Sequence, residues 1–190
     1  MTHRKSPLMS DWQRQIVMGT VLGGSSLVVP TRGRSAYLAM RDRQRHWLAY
    51  KCAELEAFAG EKPFYEDGAT LRWFSACYPV FREVRDEMYD GKRRRITSRL
   101  LDRLRDIGLA VWFGDCGRLR GGKVVLATSV LGDVGTAVAA NWFADVGIGR
   151  PDIRHGKQGL RLLFDTAASE QFLMLVASRL PERFLTDLFA

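Results

Sequence analysis

The chain has 190 residues, 46% of them apolar, which suits one globular domain or two small subdomains sharing a core and excludes disorder on a large scale. Lys and Arg number 29 against 21 Asp and Glu, a formal charge of +8 that favours polyanionic partners. The three cysteines, Cys52, Cys77 and Cys116, form no CxxC pair and no His/Cys cluster at zinc spacing, so a reduced, intracellular (cytoplasmic) protein is expected. No run of about 18 apolar residues could span a bilayer, and residues 1–10 lack the apolar centre of a secretory signal, so no membrane partner is expected.

Residues 1–11 read as a basic leader. Asp11 can cap a helix over residues 12–24 that is apolar on nearly every side and therefore buried. Residues 25–30 and 35–41 alternate apolar and polar around Thr31-Arg32-Gly33, as a hairpin does. Asp42 then opens an amphipathic helix, 43–58, with Trp47, Leu48, Cys52, Leu55 and Phe58 on one face. Residues 63–68 read as loop, 69–78 as a strand, and 79–89 as a helix with proline in its first turn. The basic run Lys92-Arg93-Arg94-Arg95 marks a break: it is either a nucleic-acid patch or a solvated linker. Beyond it come a helix at 96–104, a buried helix ending near Cys116 and a hairpin over 118–128 around Gly121-Gly122. A helix at 133–146, two strands over 153–164 around His155-Gly156, and a last helix at 167–180 complete the chain.

This order of helix, strands, helix, strands, helix occurs twice, dividing the chain into residues 12–95 and 96–190. Each copy opens on a helix with small residues four apart, Gly19 with Gly23 and Ala110 with Gly114, so each offers a strip where a second backbone can approach closely.

The wording of these two helices resembles the LAGLIDADG homing endonucleases. Gly19-Thr20-Val21-Leu22-Gly23-Gly24-Ser25-Ser26-Leu27 is similar to the family's Gly-Leu-Leu-Leu-Gly-Asp-Gly-Ser-Leu, with Gly24 where an aspartate would stand. Leu109-Ala110-Val111-Trp112-Phe113-Gly114-Asp115-Cys116-Gly117 is similar to Leu-Ala-Ile-Trp-Tyr-Met-Asp-Asp-Gly, with Cys116 at the second aspartate. Gln44, the segment 47–51 and the strand at 157–164 add smaller matches, and the resemblance spans about residues 12–189. It implies an α+β (mixed α/β) monomer of two pseudosymmetric αββαββα halves. The signature helices would form the interface, and two antiparallel sheets would make a saddle over double-stranded DNA. It also implies hydrolysis of both strands with a divalent metal, Mg2+, held by the acidic residue at the foot of each signature helix.

Magnesium prefers oxygen ligands, which Gly24 lacks, and a thiol is too soft to replace them at Cys116. In a second register, shifted by one residue, Asp115 would stand at the metal position as the one surviving catalytic carboxylate; otherwise it is a polar group at a helix end. The expectation is thus a duplex-DNA-binding protein with cleavage impaired. The alternatives are a Mg2+-dependent endonuclease or nickase using Asp115, and an RNA-binding, maturase-like splicing accessory that takes structured RNA. The DNA-facing candidates are Arg32, Arg34, Arg41 and Arg72 in the first half and Arg118, Arg120, Lys123, Arg154, Lys157 and Arg161 in the second, since a two-stranded ribbon presents such side chains to a major groove. His3, His46 and His155 are scattered, with His155 expected in a turn, and Trp73 and Trp142 are expected in the core.

Overall fold

A computed structural model describes residues 6–31, 33–157 and 159–189. Helix α1 (Asp11–Leu22) starts at a capping box: the Gln13 amide donates to Ser10 Oγ (3.2 Å) and the Ser10 amide donates to Gln13 Oε1 (3.1 Å). Ser10, not Asp11, is therefore the cap; Asp11 is the first helical residue, where its charge complements the helix dipole. Strands β1 (Ser26–Val28) and β2 (Tyr37–Asp42) form the expected hairpin. Helix α2 (Arg45–Glu54) begins later than expected, because Asp42 ends β2 and its carboxylate accepts from the Gln44 amide (2.9 Å) in a side-chain turn. A 3-10 turn, Glu56–Phe58, leads into β3 (Ala59–Asp67) and β4 (Thr70–Ser75).

Of residues 63–68, expected as loop, 63–67 belong to β3 and only Gly68 lies in the turn; β3 is an edge strand whose side chains are mostly exposed, so no apolar alternation marks it. Pro63 is tolerated because the pairing with β4 is irregular between Ala59 and Phe64. Helix α3 (Pro79–Met88) carries proline in its first turn, as expected. The break at 90–95 is itself a small hairpin, β5 (Tyr89–Asp90) paired with β6 (Arg93–Arg94). The helix expected at 96–104 shrinks to the single turn α4 (Ser98–Leu101).

The second half repeats the first. Helix α5 (Asp106–Cys116) is followed by β7 (Gly117–Arg120) and β8 (Lys123–Ala127), a 3-10 turn Ser129–Leu131, and α6 (Gly132–Asp145). Then come β9 (Asp152–Gly156), β10 (Gly159–Leu163), α7 (Thr166–Val176) and a 3-10 turn Ala177–Arg179. His155 lies within β9, paired with Leu160, rather than in the turn. A last helix, α8 (Glu182–Phe189), was not expected from the sequence; it brings buried Phe184 to 4.9 Å from Trp47.

The two four-stranded antiparallel sheets have matching orders, β1-β2-β4-β3 and β7-β8-β10-β9. One continuous apolar core joins them, with Trp47, Trp73, Trp112, Phe143 and Phe172 fully buried and Trp142 also inside. At the centre α1 packs on α5. A Cβ at Gly19 would overlap the Gly108 carbonyl oxygen and lie 2.9 Å from Val111 Cβ, and one at Gly23 would overlap Asp115 Cβ. The helices meet backbone to backbone, which is what the glycines four apart permit. Among the described residues no helix is long and apolar enough to cross a membrane.

Candidate nucleic-acid interface

The two signature helices meet about an approximate twofold axis, so residues that face each other at the crossing are equivalent ones. Gly19 faces Val111 and Gly23 faces Asp115, and both pairs are 92 residues apart (19 to 111, 23 to 115). The same spacing pairs Gly24 with Cys116. Asp115 thus stands in the packing position that Gly23 fills in the first half, and it lies inside the crossing. Its side chain is only 6% exposed.

Two groups converge on that carboxylate. Trp47 Nε1 donates to Oδ1 (2.6 Å), Lys51 Nζ donates to the same oxygen, and the Lys51 side chain is 1% exposed. Lys51 also lies 4.0 Å from Asp42 Oδ2. Burial pushes the Asp115 carboxyl up from its ordinary range, while Lys51 and Trp47 pull it back. Both Trp47 and Lys51 come from α2 and Asp115 from α5, so this cluster joins the two halves. Sequence reasoning placed Trp47 and Lys51 in a family-like segment but had no signal for their partner 68 and 64 residues away.

Neither helix foot suits a divalent metal. Gly24 has no side chain and sits at φ +125°, beyond the helix end. The Cys116 thiol donates to the Trp112 carbonyl oxygen (3.3 Å), and burial, with Asp115 beside it, raises its pKa and keeps it protonated. Asp115 has its Oδ1 engaged by both Trp47 and Lys51. Among the described residues no group of three or more His, Cys, Asp or Glu side chains is placed to hold a metal ion. The residues present therefore do not fit a magnesium centre, which needs several oxygens in octahedral array.

The sheets carry the basic residues. Cross-strand partners share a face, so the pairs Arg118 with Val125, Arg120 with Lys123, and Arg161 with both Ala127 and Arg154 place five cations on one side of the second sheet. The other side, with Val124, Leu126 and Leu162, enters the core. Arg118, Arg120, Lys123 and Arg161 form no ion pair among the described residues; Arg154 pairs with Asp152 (2.8 Å). Arg120, Lys123, Arg154 and Arg161 line one shallow basin, and Arg118 and Arg161 a neighbouring one beside Cys116. Lys157 is exposed at the end of β9.

The first sheet presents a different face. Arg41 stands directly opposite Arg72, among Tyr37, Ala39, Phe74 and the exposed Tyr65. Arg72 is bonded to Asp67, and Arg34 is exposed in the loop before β2. Arg32 lies outside the described residues. The structure brings Arg41 and Arg72 together beside Gly24, and the second-sheet set on one face; Arg34 and Lys157 stand apart from both.

Comparison with known proteins agrees with this arrangement. The model of the LAGLIDADG DNA endonuclease family matches residues 14–172. Among solved structures, the homing endonuclease I-WcaI bound to its DNA recognition sequence matches with a TM-score of 0.86 at 16% identity, covering 97% of this chain and 88% of that one. I-DmoI in complex with DNA and Mn matches at 0.58 and 10% identity, over 88% of this chain and 97% of that one. The N-terminal LAGLIDADG domain of DUF199/WhiA matches at 0.59 and 10% identity, over 97% and 90%. A search of curated proteins found no match. The crossed glycine-bearing helices, the paired sheets and the family match over most of the length lead to one assignment: the chain belongs to the LAGLIDADG DNA endonuclease family.

Proposed function

We propose that this protein binds double-stranded DNA as a monomer, at a long asymmetric site, and does not cut it. Residues 12–95 and 96–190 each contribute one sheet to the DNA-binding saddle. The observation that carries the reading is the contrast between sheets and helix feet. Among the described residues Arg41, Arg118, Arg120, Lys123 and Arg161 make no ion pair, while Gly24 and Cys116, at the positions that the family resemblance gives to metal-binding carboxylates, offer no side-chain oxygen. I-WcaI and I-DmoI, whose folds this chain shares, were both captured on DNA. Arginines on a two-stranded ribbon can pair bidentately with guanine, and lysines can take phosphate.

Asp115 borders the cleft formed with Gly114, Gly117 and Arg41, which favours the second reading of a Mg2+-dependent nickase. Its engagement by Lys51 and Trp47 supports a structural role instead, because a metal would have to displace a buried ammonium to reach Oδ1.

The test is selection of bound sequences from a random duplex library at near-physiological salt, where non-specific electrostatic binding weakens and base contacts persist. Enrichment of one long asymmetric site supports the reading. No enriched duplex, with preference for structured RNA, overturns it.

A further inference from the structure

The feet of the two signature helices open into two adjoining clefts. One, of about 330 Å³, is lined by Gly24, Ser25, Ser26, Arg41, Arg72 and Phe74 among others. The other, of about 530 Å³, is lined by residues that include Arg41, Arg43, Gly114, Asp115 and Gly117. Arg41 borders both. It is therefore placed between Gly24, where one metal-binding carboxylate is missing, and Asp115 at the foot of the other helix, and it is exposed; Cys116 opens instead into the basin of Arg118 and Arg161.

The charges around Arg41 leave it without a counter-ion. Its cross-strand neighbour is another cation, Arg72, an arrangement that destabilises a sheet unless something outside offsets it. Arg72 is bonded to Asp67. The two carboxylates of the second cleft are both turned to Lys51, and Asp42 also accepts from the Gln44 amide. Among the described residues Arg41 makes no hydrogen bond and no ion pair. A planar guanidinium with free donors, at the edge of an open cleft floored by small residues, suits a phosphate oxygen pair.

We propose that Arg41, with Arg72 beside it, is the fixed counter-charge for the central phosphates of the bound duplex, in place of a divalent metal. This rests on the DNA-binding reading above and adds to it where the backbone is held and by what. A guanidinium neutralises phosphate charge but cannot lower the pKa of a bound water as a metal does, so the same replacement that retains binding abandons hydrolysis.

The test uses the full chain and its selected duplex. Wild-type affinity should be unchanged when Mg2+ is replaced by EDTA. Arg41→Gln should weaken binding about tenfold, equally for all base substitutions in the site, and lower the slope of log affinity against log salt by about 1. Arg41→Lys should keep the slope. A neutral methylphosphonate at one central position should weaken the wild type and leave Arg41→Gln unaffected. A methylphosphonate penalty equal in both proteins, or release of DNA by EDTA, overturns the inference while leaving DNA binding intact. A wild-type chain that binds no duplex overturns the DNA-binding reading itself.

Discussion

Replacing Lys51 by Met removes the ammonium that sits on Asp115 at the helix crossing. The side chains are 1% and 6% exposed, so water cannot take over the lost interaction, and Trp47 Nε1 is the one remaining donor to Oδ1. Removing one partner of a buried pair leaves an uncompensated charge and costs about 3–5 kcal/mol. The cost must depend on pH. Burial already raises the Asp115 carboxyl in the folded state above its unfolded value, so its contribution to stability is fully present below the unfolded carboxylate range and lost as pH rises through the folded value. Without Lys51 that folded value rises further. Lys51→Met should therefore lose the full amount at alkaline pH and progressively less as the pH falls and the raised Asp115 carboxyl takes up a proton. Urea unfolding followed by tryptophan fluorescence measures both. The double variant Lys51→Met/Asp115→Asn should recover most of the loss, because no buried charge remains. A loss below about 1 kcal/mol at alkaline pH, or strict additivity of the two single variants, would refute the buried-pair argument.

Other outcomes follow from the same packing. Gly19→Ala and Gly23→Ala should each destabilise by about 1–3 kcal/mol in urea unfolding, because the added methyl meets Gly108 backbone or Asp115 Cβ at the crossing; a gain from helix propensity alone would contradict this. Gly24→Asp should cost about 1–3 kcal/mol although space is available (the nearest atom to a new Cβ is Val130 Cγ1 at 3.9 Å), because φ +125° strains a side-chain-bearing residue. A thiol reagent at neutral pH should modify Cys77 fastest in the native protein, half-buried Cys116 more slowly, and Cys52 only after unfolding. Cys52 is buried with its pKa pushed up to about 12, and Cys116 is raised by burial and by Asp115.

What the sequence made legible was whatever is written locally. Gly19 and Gly23 announced the close face of α1, but the strip expected on α5 at Ala110 and Gly114 did not mark the crossing: Gly114 packs on Trp47, and α5 meets α1 through Gly108, Val111 and Asp115. Alternation announced the hairpin β1-β2, and the Gly121-Gly122 turn announced β7-β8. Strand β3 was missed because both of its faces are largely exposed and its Pro63 reads as a breaker. Helix α8 was missed because it follows Pro181 closely, although Phe184 anchors it beside Trp47. The cluster of Trp47, Lys51 and Asp115 was illegible for a different reason. Nothing in α2 marks Lys51 as buried, since its meaning depends on a carboxylate delivered by the other half of the chain. The same holds for Arg41, whose place between two clefts is a property of the assembled halves.

Binding without cleavage can be checked by incubating the selected duplex, labelled on each strand, with stoichiometric purified protein in Mg2+ and then in Mn2+. Both strands should remain intact while the complex persists. Strand cleavage that withstands removal of contaminating nuclease and is abolished by Asp115→Asn would contradict the account and make Asp115 a metal ligand.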